Sequence, residues 1–405
     1  MGRSLRVVLG LLVCVLLTTP TGCGLLDGDG PRQAGSPQVT AALTATLDER
    51  ARAVRRGDGA AFLATVDPGD ARLVRRQRTY FQNLAQLPVA RLRYRLDPAT
   101  LVRDGAAYTA LVEVRLQLWG FDRWPVVSRE RQHFVPGPEE ASYVLARGRE
   151  EDPSGQQPWD RRTIVVRERP GVLGIFDQAS AKRADDVLAS VAAGIDLVDA
   201  AVPYSWDRHV VVYALSGSSA LRSIADLPGG DPERLDGVSL PVGRRGDEAA
   251  STRLVLHPRM LTASAVQRDR LIRHELTHIA VAGRDDHVPL WLSEGVAEYV
   301  SVQPIPEGER TLPRSALAAA TAGSPELPPA ETFNGPGSEA NYSMAWWACE
   351  AIVDLYGEPM LWRLVDEMAG EARWDDVLLK TLQLSPDDLA DEAARRMLEE
   401  YGAPD

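Results

Sequence analysis

Two kinds of hydrophobic pattern alternate along the chain, and together they predict two folded regions. Over residues 39–66, Leu43, Leu47, Ala51 and Val54 recur at steps of three and four, the spacing of one helix face. Asp67-Pro68-Gly69-Asp70 interrupts that pattern, and residues 71–85 resume it as a second helix. The period then falls to two. Leu92, Tyr94 and Leu96 mark one strand, and Tyr108 to Leu118 a longer one. Further strands are expected at residues 126–134, 143–147 and 163–167, with Pro- and Gly-containing turns between them. Two helices followed by a curled antiparallel sheet make an α+β domain over residues 38–170.

From Gly171 the register changes. Residues 179–201 read as a long helix carrying Val187, Val191, Ile195 and Val198. A continuous apolar run at 209–215 suits a buried strand, 218–227 a short helix, and 253–257 another strand. Residues 265–282 form a long helical pattern. Residues 301–337, rich in Pro, Ala, Gly and Glu, read as a mobile loop. Helices then close the chain at 342–356, 359–369, 374–381 and 386–401, the last with Ser385 as N-cap ahead of Pro386.

The N-terminus changes the picture of where the protein works. Arg3 and Arg6 precede an apolar stretch, Val7 to Leu17, that is short for a membrane span, and Gly22 stands directly before Cys23. Residues 1–22 therefore read as a secretory signal and resemble that of a bacterial lipoprotein, in which Cys23 becomes the lipidated N-terminus. Pro20 departs from that pattern, and plain secretion is the alternative. Residues 23–37, built of Gly, Pro and small polar residues, read as a flexible tether. Cys14 and Cys23 belong to this leader, so Cys349 is left without a disulfide partner and reads as a small core residue.

Composition is that of a globular protein, 44% hydrophobic and 25% charged, with a net charge of −12. An acidic chain without a run of basic residues argues against a nucleic-acid partner.

The chemistry concentrates in His274-Glu275-Leu276-Thr277-His278. On a helix, two histidines four apart share a face and can ligate one Zn²⁺, with Glu275 beside them as general base. Separated from His278 by fifteen residues, Glu294 in Trp291-Leu292-Ser293-Glu294-Gly295-Val296-Ala297-Glu298-Tyr299 is the natural third ligand. Glu298, one turn later, faces the same side and can orient a ligand histidine. Tyr342 shares a helical face with Trp346, Cys349 and Val353, a pattern that by itself reads as core. His287 is a weaker donor candidate, and His133 and His257 read as structural.

These segments resemble the gluzincin metallopeptidases, the peptidase-MA-like group. The W-L-x-E-G-x-A-E-Y signature is matched at Trp291, Leu292, Glu294, Gly295, Ala297, Glu298 and Tyr299, and Asn341 to Trp346 resembles that group's Y-x-x-A-W helix. The resemblance implies a zincin-type domain over residues 171–405 with a helical C-terminal subdomain. It implies zinc held by His274, His278 and Glu294, Glu275 as proton acceptor, and Tyr342 as donor to the oxyanion. The order of elements in residues 38–170 resembles the NTF2-like folds in layout alone. The G-x-M-E-N segment that grips a free amine in the aminopeptidase relatives is absent, which points to an endopeptidase. The expected protein is thus a lipid-anchored, extracytoplasmic bacterial zinc hydrolase acting on peptides or proteins. The competing reading is a non-catalytic peptidase-like module that binds cell-envelope peptides or partners.

Overall fold

The computed structural model describes residues 36–402, except 152–156, 223, 225–230, 247, 286, 324 and 371–372. The expected signal segment, Cys23 and the expected tether as far as residue 35 lie outside the described residues. The architecture is mixed α and β, with two five-stranded sheets.

Helices open the chain: α1 (Pro37–Arg56), α2 (Gly59–Ala64) and α3 (Ala71–Leu84). Each starts on a side-chain cap, with Ser36, Asp58 and Asp70 accepting N–H groups of the first turn. The first sheet follows with β1 (Val89–Leu96), β2 (Val102–Asp104), β3 (Ala107–Leu118), β4 (Val126–Pro136) and β5 (Tyr143–Glu150). It is antiparallel throughout, in the order β1-β3-β4-β5 with β2 paired to β3. A short α4 (Pro158–Arg161) leads into β6 (Val165–Arg169).

Here the structure departs from expectation. Strand β6 does not extend the first sheet but pairs with β7 (Val172–Phe176) at the edge of a second one. After α5 (Ala184–Ala201) come β8 (Val210–Ala214), α6 (Ser219–Arg222), β9 (Gly237–Val242) and β10 (Ser251–Leu256). The order is β6-β7-β8-β10-β9, with parallel pairs in the middle and antiparallel strands at both edges. Strand β9 escapes the sequence reading because Pro241 interrupts its pattern; a proline is tolerated there because β9 is an edge.

Both faces of this second sheet are covered. Leu173, Ile175, Val211, Tyr213 and Val255 join the core of the first sheet and α1. Val210, Val212, Leu254 and Leu256 pack instead with α5 and with α7 (Ala265–Asp285). The ion pair Arg253–Asp122, 2.7 Å long with both side chains 1% exposed, ties β10 to the β3–β4 connection. The N-terminal α+β unit is therefore a covering layer of the second sheet, and residues 34–405 form one compact unit.

The rest is helical: α8 (Leu290–Val302), α9 (Arg314–Thr321), α10 (Ser338–Tyr356), α11 (Glu358–Ala369), α12 (Trp374–Leu382) and α13 (Pro386–Tyr401). The stretch 301–337 is more structured than its composition suggests, since it holds α9 and sends Leu327 and Phe333 into the core. Cys349 is fully buried on α10.

Candidate metal centre and cleft

Helix α7 is wedged between the second sheet and α8, with Ile272, Leu276 and Ala280 on its core side. That packing fixes the helix rotation and turns His274 and His278 toward α8. Helix α8 in turn lies against α10 at very short range. A Cβ on Gly295 would sit 2.4 Å from the Ala345 carbonyl oxygen, so only glycine permits the approach. The residue before it, Glu294, is thereby pressed against the two histidines.

Three ligand atoms converge. His274 Nε2 and His278 Nε2 are 3.2 Å apart, and Glu294 Oε2 lies 3.2 Å from the first and 3.5 Å from the second. Donors held about 2.0–2.2 Å from a tetrahedral ion are themselves separated by about 3.3–3.5 Å. The triangle therefore fits a small divalent ion, and the three residues form a buried group able to hold one.

The outer partners fix which nitrogen carries the proton. His278 Nδ1 lies 3.0 Å from Asp285 Oδ2, and His274 Nδ1 lies 3.2 Å from Glu298 Oε1. Each Nδ1–H is thus directed at a carboxylate, leaving both Nε2 lone pairs facing inward. Glu294 Oε2, also buried, has no hydrogen-bond donor among the described residues. Three acceptors facing one another repel unless a positive charge lies between them.

The titration behaviour expresses the same demand. Burial opposes charge on His274, but the neighbouring carboxylates of Glu294 and Glu298 outweigh it and hold the ring at about 9. Burial is likewise overcome at His278 by Asp285 and Glu294, which keep its pKa well above the usual histidine range. Glu294, despite burial, is driven far below the usual carboxylate range by the two histidines. Glu298, also opposed by burial, falls to about 2 through His274 and Arg270. Glu275 moves the other way, because burial pushes its carboxyl up more strongly than the neighbouring histidines pull it down.

A cleft of about 720 Å³ opens beside the triangle. His274, Glu275 and Glu298 lie on its floor, the start of β9 and residues 311–313 on its rims, and Tyr342 on its wall. The Tyr342 ring is 6.2 Å from that of His274, and its hydroxyl donates to Asn334 Oδ1 at 3.0 Å. Burial, and then the charges of Glu294, Glu275 and Glu298, push the phenol far above its usual pKa and keep it a donor. Tyr342 thus occupies both of its expected settings, packed against Phe333 and open to the cleft.

The remaining histidines stand apart. His287 is exposed and does not line the cleft. His257 caps the turn at Pro258 through Arg259 N and meets Glu233, and His133 pairs with Thr109 on the first sheet. Sequence reasoning missed Asp285, which is oriented by the Ser293 hydroxyl at 2.6 Å. Its signal was present: it lies seven residues, two helical turns, after His278 on α7. It missed Arg270 as well, whose guanidinium holds Glu298 at 2.5 Å and lies 5.7 Å from the Trp346 ring centroid.

Compared with known proteins, the chain matches no family model and no curated relative.

Proposed function

We propose that the protein is a zinc-dependent metallopeptidase, an endopeptidase, held by a lipidated Cys23 at the extracytoplasmic face of a bacterial membrane. The observation that carries this reading is the inward-facing triangle of His274, His278 and Glu294, with each imidazole backed by a carboxylate and Glu275 beside an open cleft. The donor set, two imidazoles and one carboxylate, is the one zinc takes in hydrolytic sites with an open position. Bound there, zinc would polarise a substrate carbonyl and acidify water.

The chain's own residues supply the rest. Glu275, with its carboxyl raised above the usual range, is suited to take a proton from attacking water and hand it to the departing amine. Tyr342 is kept protonated and can donate to the oxygen on which charge develops, once its hydroxyl turns from Asn334. Glu298 and Asp285 keep the ligand imidazoles in the tautomer that leaves Nε2 bare. On this reading residues 171–405 form a zincin-type domain, and the NTF2-like layout of residues 38–170 serves as its covering layer.

The test is metal analysis of the purified protein together with peptide-library cleavage by wild type and Glu275→Gln. We expect one zinc per chain in both proteins and cleavage by wild type alone, with activity lost on chelation and restored by zinc. Stoichiometric zinc with no cleavage by either protein would leave a peptide-binding module instead. Membrane association that survives Cys23→Ala would remove the lipid-anchor element.

A further inference from the structure

The chain is acidic overall, yet the outer face of its first sheet is not. Alternation places every second residue of β1, β3, β4 and β5 on that face, and the strand register brings distant arginines together. Arg93 lies directly opposite Arg115, and Arg115 opposite Val127. The next row runs Arg95, Glu113, Arg129, and the one after it Leu111, Arg131, Arg149. Arg91 opposite Gln117 and Arg147 opposite His133 complete the two ends. All of these arginines but the half-buried Arg115 are exposed.

Few carboxylates answer them. Glu113 is shared between Arg115 at 2.7 Å and Arg129 at 3.5 Å, and Arg131 pairs with Glu151. Asp97 lies at the margin, its carboxylate occupied in capping the Ala99 N–H. Like charges directly opposite one another weaken a sheet, so Arg93 facing Arg115 and Arg131 facing Arg149 cost stability. An anionic partner is what would offset that cost.

The apolar residues of the same face say which partner. Trp119 continues the outward alternation past Leu118 and is 76% exposed at the β3–β4 turn, and Val127 is 38% exposed among the arginines. A broad sheet face, with arginines spread over several strands and a tryptophan at its end, suits a planar anionic surface. Tryptophan settles at the headgroup level of a bilayer and basic residues are drawn to anionic lipid. Reach is sufficient too: the twelve residues between Cys23 and Ser36 span at most about 45 Å. That last argument rests on the proposed anchor, whereas the charge and the tryptophan do not.

We propose that the outer face of the first sheet docks on an anionic phospholipid surface, with Trp119 entering the headgroup layer. The helices carrying the metal site pack on the opposite face of the second sheet, so docking turns them away from the bilayer. The expected absence of basic clusters fails in space, because strand register gathers arginines that lie far apart in the chain.

The test is vesicle co-sedimentation of the full chain carrying Cys23→Ala, so that no acyl group contributes. Phosphatidylcholine vesicles are compared with vesicles containing 30% phosphatidylglycerol. We expect binding that requires the anionic lipid and weakens steeply between 0.05 and 0.5 M salt. At about fivefold per basic residue near an anionic surface, Arg93→Gln, Arg95→Gln, Arg129→Gln and Arg131→Gln combined should weaken it at least a hundredfold. An unchanged thermal transition shows that this variant is folded. Quenching by brominated lipid should fall in Trp119→Phe relative to the parent. Equal binding to both vesicle types, or an unaffected quadruple variant, overturns the proposal. Binding to a duplex oligonucleotide but not to anionic vesicles overturns it in favour of a polyanion site.

Discussion

Two buried ionic clusters of this protein invite comparison. At Arg253 and Asp122 the charges are matched one to one, 2.7 Å apart; Asp122 also accepts the Leu118 N–H and Arg253 also donates to Ser251, so that only its Nε is left without an acceptor. At His274, His278 and Glu294 each imidazole Nδ1 has a carboxylate within 3.2 Å, but the two Nε2 atoms and Glu294 Oε2 converge on one another, and Oε2 has no hydrogen-bond donor among the described residues. The first cluster closes on itself and joins the two sheets. The second is complete only when a cation joins it. The difference teaches that burial of charge is no signature of a site; incompleteness of the pairing is.

Exchanging the inward acceptor for a donor tests this most severely. Glu294→Gln places an amide N–H₂ where Oε2 stood, able to donate to the bare Nε2 atoms. We expect metal affinity to fall at least about a thousandfold, roughly 4 kcal/mol, as one anionic ligand disappears. Without metal near neutral pH the variant should also unfold earlier than wild type, because the raised histidines of wild type carry the positive charge that pairs with Glu294. Isothermal titration and urea denaturation read the two quantities. Metal affinity unchanged in the folded variant would show that the triangle is an ordinary structural cluster.

The closed cluster should respond in the opposite way. Asp122→Ala leaves the Arg253 guanidinium buried without its carboxylate, at a cost of about 3–4 kcal/mol, while metal affinity stays within a factor of two. Urea unfolding of both proteins measures the first and titration the second. Loss of metal binding in folded Asp122→Ala would mean that the two clusters are coupled through β10 and α7.

Asp285 sharpens the comparison from the outside of the triangle. It touches no ion; it holds His278 through Nδ1 and is itself held by Ser293. Asp285→Ala should weaken metal binding about 10- to 100-fold, and Ser293→Ala by less, since the carboxylate remains. Equal affinities for wild type and Asp285→Ala would mean that α7 packing alone orients the ring.

Legibility followed the physics of each element. The first sheet was readable because one of its faces is wet, so β3 runs alternately half-buried and buried from Ala107 to Leu118. The second sheet is dry on both faces at its centre, where β7 and β8 are buried at every position. Such strands give no period, so β7 shows in the sequence only as a change of register; β6, half-buried to exposed, carries no local sign of which sheet it joins. His274, His278, Glu294 and Glu298 were legible because helical spacing alone brings each pair together. Their meeting across α7 and α8 depends on Gly295 and the packing of α10, which no local pattern encodes. The arginine face was invisible for the opposite reason: its members are evenly spaced, but only register makes them neighbours.

Asp160 offers the smallest and most pointed test, because it is a half-buried carboxylate with no salt-bridge partner among the described residues. It sits with Tyr80, Trp159 and Ser128 around a small cavity in the N-terminal unit. Burial, reinforced by the Glu130 charge and opposed by the Gln157 N–H, raises its carboxyl to about 7. An unfolded aspartate titrates near about 3.9. Between these values the folded chain keeps a proton that the unfolded chain gives up, so folding is favoured by protonation. Asp160 therefore contributes its full stability below about pH 4 and loses it as pH rises through about 7, the reverse of a salt-bridged acid. Asp160→Asn keeps the acceptor for Gln157 N and cannot ionise. Relative to this variant, wild type should lose roughly 1–2 kcal/mol between pH 5 and 7.5 in urea unfolding. Asn at 160 should remove that slope while leaving metal affinity untouched. A wild type that instead gains stability over this range would place a cation beside Asp160 and make it a third closed cluster.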